Sequence, residues 1–206
     1  MLRSLVGSEM CIRDSGKVLV IADSDAYLTG TVVQSCVDEI LANPDDNLWF
    51  VPYRKLYRLN EEITKEILES DPADPFYPPD PPPEDYVDGE PEAVKYGRRY
   101  AALMYIIPSA ALDALGCWDE RFAGWGGEDI STLRAFDTLF GKHKTTDNGI
   151  FHLWHPKIGD SFRTRQWEGQ TDNEPNKQLA TRYSKASGNV EAMREIVDES
   201  CRLRDQ

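Results

Sequence analysis

The chain reads as an α/β fold in which a mixed sheet is flanked by helices, and three observations predict it. Apolar runs rich in β-branched and aromatic residues recur at 17–22 (KVLVIA), 47–53 (NLWFVPY), 100–107 (YAALMYII) and 149–154 (GIFHLW). Between them lie stretches whose apolar residues fall at helical spacing. Strands alternating with helices in this way pack as layers. With 206 residues, 40% of them hydrophobic and 29% charged, the chain can bury the core of one globular domain.

The first strand, 17–22, is an unbroken apolar run, the pattern of burial on both faces, and it ends abruptly in Asp23-Ser24-Asp25. A helix follows over 31–41, carrying Val32, Val33, Cys36, Val37, Ile40 and Leu41 and closed by Asn43-Pro44. After the strand at 47–53, Asn60 is placed to cap a short helix with Ile63, Ile67 and Leu68 on one face. Residues 71–91 change character, holding eight of the thirteen prolines among aspartate and glutamate. That composition predicts a loop, a flexible excursion without a core of its own. A lid over substrate is the sharper alternative.

Order resumes with the strand at 100–107 and a short helix over 110–115 stopped by Gly116. A glycine-rich turn, 124–127, opens a helix over 129–140 with Ile130, Leu133, Phe136 and Phe140 inward and Gly141 as terminator. The strand at 149–154 comes next. A final helix over 190–203 turns Val190, Met193, Ile196 and Val197 inward.

The net charge of −13 disfavours nucleic acid and anionic membranes as partners, since both repel an acidic surface. It suits a protein that meets its substrate through a divalent cation. No apolar run approaches the roughly 18 residues that span a bilayer, so no transmembrane segment is expected. The four cysteines, Cys11, Cys36, Cys117 and Cys201, form no close pair, which predicts a reducing, cytoplasmic setting.

Three groups of residues could carry chemistry. Asp23 and Asp25 leave the end of a strand, the edge at which open α/β sheets bind ligands, and two such carboxylates can meet one hard cation. A lone D-x-D is more often a pair of turn-forming or helix-capping aspartates. Trp125-Gly126-Gly127-Glu128-Asp129 sets a flat apolar ring and close-approach backbone beside two acids, as a sugar with one apolar face and hydroxyl edges requires. The same acids also suit the first turn of any helix. His152 and His155 are two of only three histidines, spaced so that both could reach one metal.

Together, and in this order, the three groups resemble family 2 and β-1,4-galactosyltransferase-like glycosyltransferases of the A-type fold. The resemblance runs from Lys17 to about Tyr183 and is most specific over 112–140 (LDALGCWDERFAGWGGEDISTLRAFDTLF). Asn173-Glu174-Pro175-Asn176 looks like a stretch that follows the metal histidine in the galactosyltransferases. The resemblance implies that Asp25, His155 and His152 bind Mn2+ or Mg2+. His152 stands where the galactosyltransferases place a methionine. It implies that Asp23 faces the nucleotide ribose or the waters of the metal. Asp129 takes the role of catalytic base, while Glu128, Trp125, Gly126 and Gly127 hold the acceptor or its sugar. The donor would be a nucleotide sugar, of the UDP-sugar kind, and the acceptor a glycan or other hydroxyl compound.

In that family the D-x-D follows strands that hold the base and ribose. Here it lies near the start, so the expected fold is an incomplete A-type domain over 16–185, with a loop at 71–91 and a helix in 186–206. Residues 1–15 resemble a translated sequencing-adapter peptide. Such a domain is expected to expose a sheet edge, to be poorly stable and to be inactive alone. A sugar nucleotidyltransferase and a carbohydrate-binding module without chemistry are the rival readings.

Overall fold

The computed structural model describes residues 16–89, 92–93, 103–116, 118–123, 126–156 and 174–204. Strand β1 (Val18–Ala22) forms where the apolar run predicts it, but its burial is different. Leu19 is buried while Val20 is 45% exposed. The expectation of burial on both faces is corrected, because among the described residues β1 pairs on one side only. That partner is an antiparallel strand, Met104–Pro108, with Val18 opposite Pro108 and Ala22 opposite Met104.

Among the described residues, eight strands make two four-stranded mixed sheets, flanked by helices. In chain order they are β1, β2 (Ala26–Tyr27), β3 (Phe50–Val51), β4 (Lys55–Arg58), β5 (Glu92–Ala93), β6 (Met104–Pro108), β7 (Lys144–Thr145) and β8 (Gly149–His152). The first sheet has the order β1-β6-β3-β7 and the second β2-β8-β4-β5. Parallel pairing of β3 with β7 passes into parallel pairing of β4 with β8, so two chain segments run side by side through both sheets. Strand β2 then joins β8 antiparallel, with Ala26 opposite His152. This register brings the end of β1 to the end of β8.

The helices are α1 (Gly30–Ala42), α2 (Glu61–Glu69), α3 (Ser109–Leu115), α4 (Glu128–Leu139), α5 (Glu174–Ala186) and α6 (Val190–Arg204). Asn60 caps α2 as expected, its Oδ1 accepting from Ile63 N–H at 2.9 Å. Ile63 and Ile67 face inward, but Leu68 is 70% exposed, since it lies about 100° around the helix from Ile67. Val190 likewise points outward, while Met193, Ile196 and Val197 are buried. Gly116 closes α3 by donating its N–H to Leu112 O at 2.9 Å.

One core joins both sheets to the last two helices: Trp49, Val51 and Tyr53 meet Tyr105, Ile107, Leu133 and Phe136 on one side and Tyr183 and Met193 on another. Burying one large apolar side chain stabilises a fold by about 1.5–3 kcal/mol, so these residues dominate its cohesion. The proline- and acid-rich segment is also packed, over its described part. Phe76, Tyr86 and Val87 sit against Tyr57, Leu59, Ile63, Ile67 and Phe151. Tyr77 stacks on Tyr27 with ring centroids 4.9 Å apart, and Asp80 Oδ2 accepts from Gly149 N–H at 2.6 Å. The expectation of a segment without packing is corrected: composition is silent about a few anchoring side chains. Among the described residues no helix is long and apolar enough to cross a membrane.

Candidate functional site

Asp25 follows the turn that ends β1, in which Ala26 N–H donates to Asp23 O at 3.1 Å. The backbone is then captured by β8: Ala26 pairs with His152, and Leu153 N–H donates to Asp25 O at 2.8 Å. Beyond β8 the chain is held by helix α2, where the buried Thr64 Oγ1 accepts from Trp154 N–H at 2.8 Å. These backbone contacts deliver three side chains to one place. His152 Nε2 and His155 Nε2 each lie 3.4 Å from Asp25 Oδ2, with the imidazole centroids 5.4 Å apart. One ligand atom from each of Asp25, His152 and His155 falls within 4.8 Å of the others, a grouping that could hold a metal ion.

The spacing suits an ion. A charge-assisted hydrogen bond would close to about 2.8 Å, so these atoms surround a common point without bonding strongly to one another. Ligands about 2.1 Å from a metal stand about 3.0 Å apart at right angles and about 3.4 Å at the tetrahedral angle. The setting of the two rings suits it too. His155 turns Nδ1 toward Pro156 O at 3.2 Å, the orientation that leaves Nε2 free to ligate. Burial holds the His152 imidazole below its ordinary range; Asp25 opposes this, and Arg58 and His155 add to it. Two nitrogens and one carboxylate fit a transition-metal ion such as Mn2+ better than Ca2+, which takes oxygen ligands.

A second cluster of acids begins two residues before Asp25. Burial, then Asp25 and Glu128, push the Asp23 carboxyl up to about 6. Burial, then Glu128 and Asp23, push Asp129 up to about 7. Both side chains nonetheless keep contact with solvent. Burial and the like-charged neighbours act in the same direction, each disfavouring the ionised form. The coupling runs from Asp25 through Asp23 to Glu128 and Asp129, so the metal cluster and the acid pair share one electrostatic environment.

Tyrosines line the floor of this region. Tyr105 donates its phenol to Asp129 O at 3.1 Å, and Tyr53 OH accepts from Leu103 N–H at 3.0 Å. Leu103 O in turn accepts from Asp23 N–H at 2.9 Å. Burial drives both phenols well above their ordinary range, so they remain protonated donors.

Helix α4 starts at Glu128, on a turn where Gly126 and Gly127 have φ of 113° and 95°, a backbone region that residues with a side chain rarely enter. Glu128 Oε2 accepts from Gly126 N–H at 2.7 Å, so this acid also holds its own turn.

The structure thus brings Asp25, His152 and His155 together and sets Asp23, Glu128 and Asp129 beside them. Trp125 lies outside the described residues, as do residues 1–15. Trp49 and Trp118, by contrast, belong to the core. Sequence reasoning missed Tyr53, Tyr105 and Thr64. Thr64 had a signal, a polar residue on the inward face of α2 between Ile63 and Ile67. The tyrosines had none, being ordinary members of strand-like runs. No protein-family model matches this chain, and no curated protein matches it.

Proposed function

We propose that this chain is the metal-binding and acceptor-binding part of an inverting glycosyltransferase of the A-type fold, moving a sugar from a UDP-sugar or related donor to a hydroxyl acceptor in the cytoplasm. One observation carries the reading: the Asp25, His152 and His155 cluster stands beside a carboxylate pair in which Asp129 has a raised pKa. Neither half alone singles out a transferase. Their juxtaposition, the cluster at the ends of β1 and β8 and the acids at the start of α4, is what a metal-held diphosphate and a base for the acceptor would need.

Asp25, His152 and His155 would hold Mn2+ or Mg2+. When bound, the cation supplies Lewis-acid neutralisation of the charge growing on the departing nucleoside diphosphate. Asp23, at the strand end, faces the donor ribose or the waters of the ion. Asp129 accepts the proton of the attacking hydroxyl, and its elevated pKa matches a base working near neutrality. Glu128, with Gly126 and Gly127, orients the acceptor. Attack from the side opposite the leaving group inverts the anomeric centre.

The test is UDP release from a panel of UDP-sugars by the protein, with manganese and with chelator. Manganese-dependent release that is lost in Asp129→Asn supports the reading. A protein that binds sugars and never releases UDP is a binding module, and release of pyrophosphate from a sugar phosphate and UTP marks a nucleotidyltransferase.

A further inference from the structure

Helix α5 seats its first turn on the glycine turn that opens α4. Asn176 is 2% exposed, and its whole amide faces that turn. Oδ1 accepts from Ala123 N–H at 3.2 Å, and Nδ2 donates to Ala123 O at 3.3 Å and Gly126 O at 3.0 Å. Asparagine near a helix start ordinarily caps its own helix, by accepting from an N–H two or three residues on. Here the amide serves a segment some fifty residues away. If packing alone were needed, an apolar side chain would fill the site without the cost of burying an amide.

A second contact reinforces the first. A Cβ built on Gly127 would stand 3.1 Å from Ala180 Cβ and 3.5 Å from Asn176 O, so α5 presses directly on the residue before Glu128. The chain of contact then continues inward. Asn176 holds Gly126 through its carbonyl, Gly126 N–H holds the Glu128 carboxylate, and Asp129 is the next residue of the same helical turn.

We infer that Asn176 is a positioning residue for the Glu128 and Asp129 carboxylates, and that helix α5 is therefore part of the acceptor side of the site. The inference rests on the proposed function for what the pair does, and on these contacts alone for how the pair is held. It also gives the Asn173-Glu174-Pro175-Asn176 stretch a physical task, at its last residue.

The experiment is a 13C-carboxyl NMR titration of the full chain labelled at aspartate, with the Asp129 signal assigned by its loss in Asp129→Asn. The groups facing Asp129 are Glu128 on its own helix, Asp23 at the end of β1, and the phenols of Tyr53 and Tyr105. In the unaltered chain Asp129 is expected to titrate at about 7, above the ordinary carboxylate range. Asn176→Ala frees the turn, and the Asp129 midpoint falls by about one unit or more toward the ordinary carboxylate range. A merely structural asparagine would lower Tm and leave that midpoint in place. Should Asn176→Ala not fold, Ala180→Val, which pushes on Gly127 from the helix side, is read by the same criterion. An unmoved midpoint in the folded variant overturns the inference, as does an ordinary midpoint in the unaltered chain. Manganese binding is measured on the same samples. Its absence removes the transferase reading, while the titration still decides whether Asn176 positions the pair.

Discussion

His155 and Asp25 come from distant parts of the chain, yet His155 Nε2 lies 3.4 Å from Asp25 Oδ2. Nothing local could achieve this. The approach depends on a two-residue strand, Ala26–Tyr27, pairing with β8, and on Thr64 holding the backbone at Trp154. The candidate centre is thus a property of the sheet topology, and its chemistry follows from three side chains that the topology collects.

If Asp129 is the base, Asp129→Asn should lower turnover by about two to four orders of magnitude, the usual contribution of a positioned base. Manganese-dependent donor binding should persist, because Asp129 is absent from the metal cluster. Parallel kinetics and donor-binding titrations check this. Loss of both properties at once would show that Asp129 is a structural residue.

The pH dependence has a definite sign. A base must be ionised to act, so activity should rise with pH through about 7, where Asp129 loses its proton. The neighbouring Asp23 carboxylate contributes to that elevation, so Asp23→Asn should move the rising limb to lower pH. A pH profile of kcat/KM for the two proteins tests this. An unshifted limb would separate Asp23 from Asp129.

Asp119 organises the packing of the last two helices. It accepts from Arg121 Nε at 2.8 Å, Tyr183 OH at 2.8 Å and Ser200 Oγ at 3.0 Å, and its side chain is 8% exposed. Burial raises its carboxyl, but the bonds from Arg121 and Tyr183 outweigh burial and leave it below the ordinary range. A depressed carboxyl stabilises above its unfolded pKa, and the contribution is lost as pH falls through the folded value. Asp119→Ala should therefore cost about 3–5 kcal/mol at neutral pH. Denaturant unfolding should show the gap to the unaltered protein closing in acid, below about pH 4.

Asn60 joins two elements. Its Oδ1 caps α2, and its Nδ2 donates to Asp85 O at 2.6 Å, tying the proline-rich segment to the helix. Asn60→Ala should cost about 1–2 kcal/mol by equilibrium denaturation. Asn60→Asp keeps the cap and loses the tie, so its stability should fall between those of Asn60→Ala and the unaltered protein.

Much of this arrangement was legible in the residues, and the exceptions are physical. The end of β1 and the start of α4 stood out, because an apolar run stops at Asp23 and a glycine-rich turn precedes Glu128, whereas the last strand, expected over 149–154, ends at His152. Strand β4 did not stand out, since only Leu56 and Tyr57 are buried in a four-residue segment bounded by charge. Helix α5 was hidden by its polarity, with Asn176, Leu179, Tyr183 and Ala186 as its buried residues. The packed state of the proline-rich segment rests on single anchors such as Phe76 and Asp80. The meeting of Asp25 with the histidines needed the β2–β8 register, and two residues are too few for any periodicity to report.

The most direct measurement of the shared centre is manganese binding followed by electron paramagnetic resonance. The unaltered chain should take up one ion per molecule, and affinity should fall with falling pH as protons compete with the metal for the imidazole nitrogens. Asp25→Asn and His155→Ala should each weaken binding by about 100-fold or more, with the fold retained. Binding that is absent, or that survives both substitutions unchanged, would contradict the shared centre on which the proposed transferase rests.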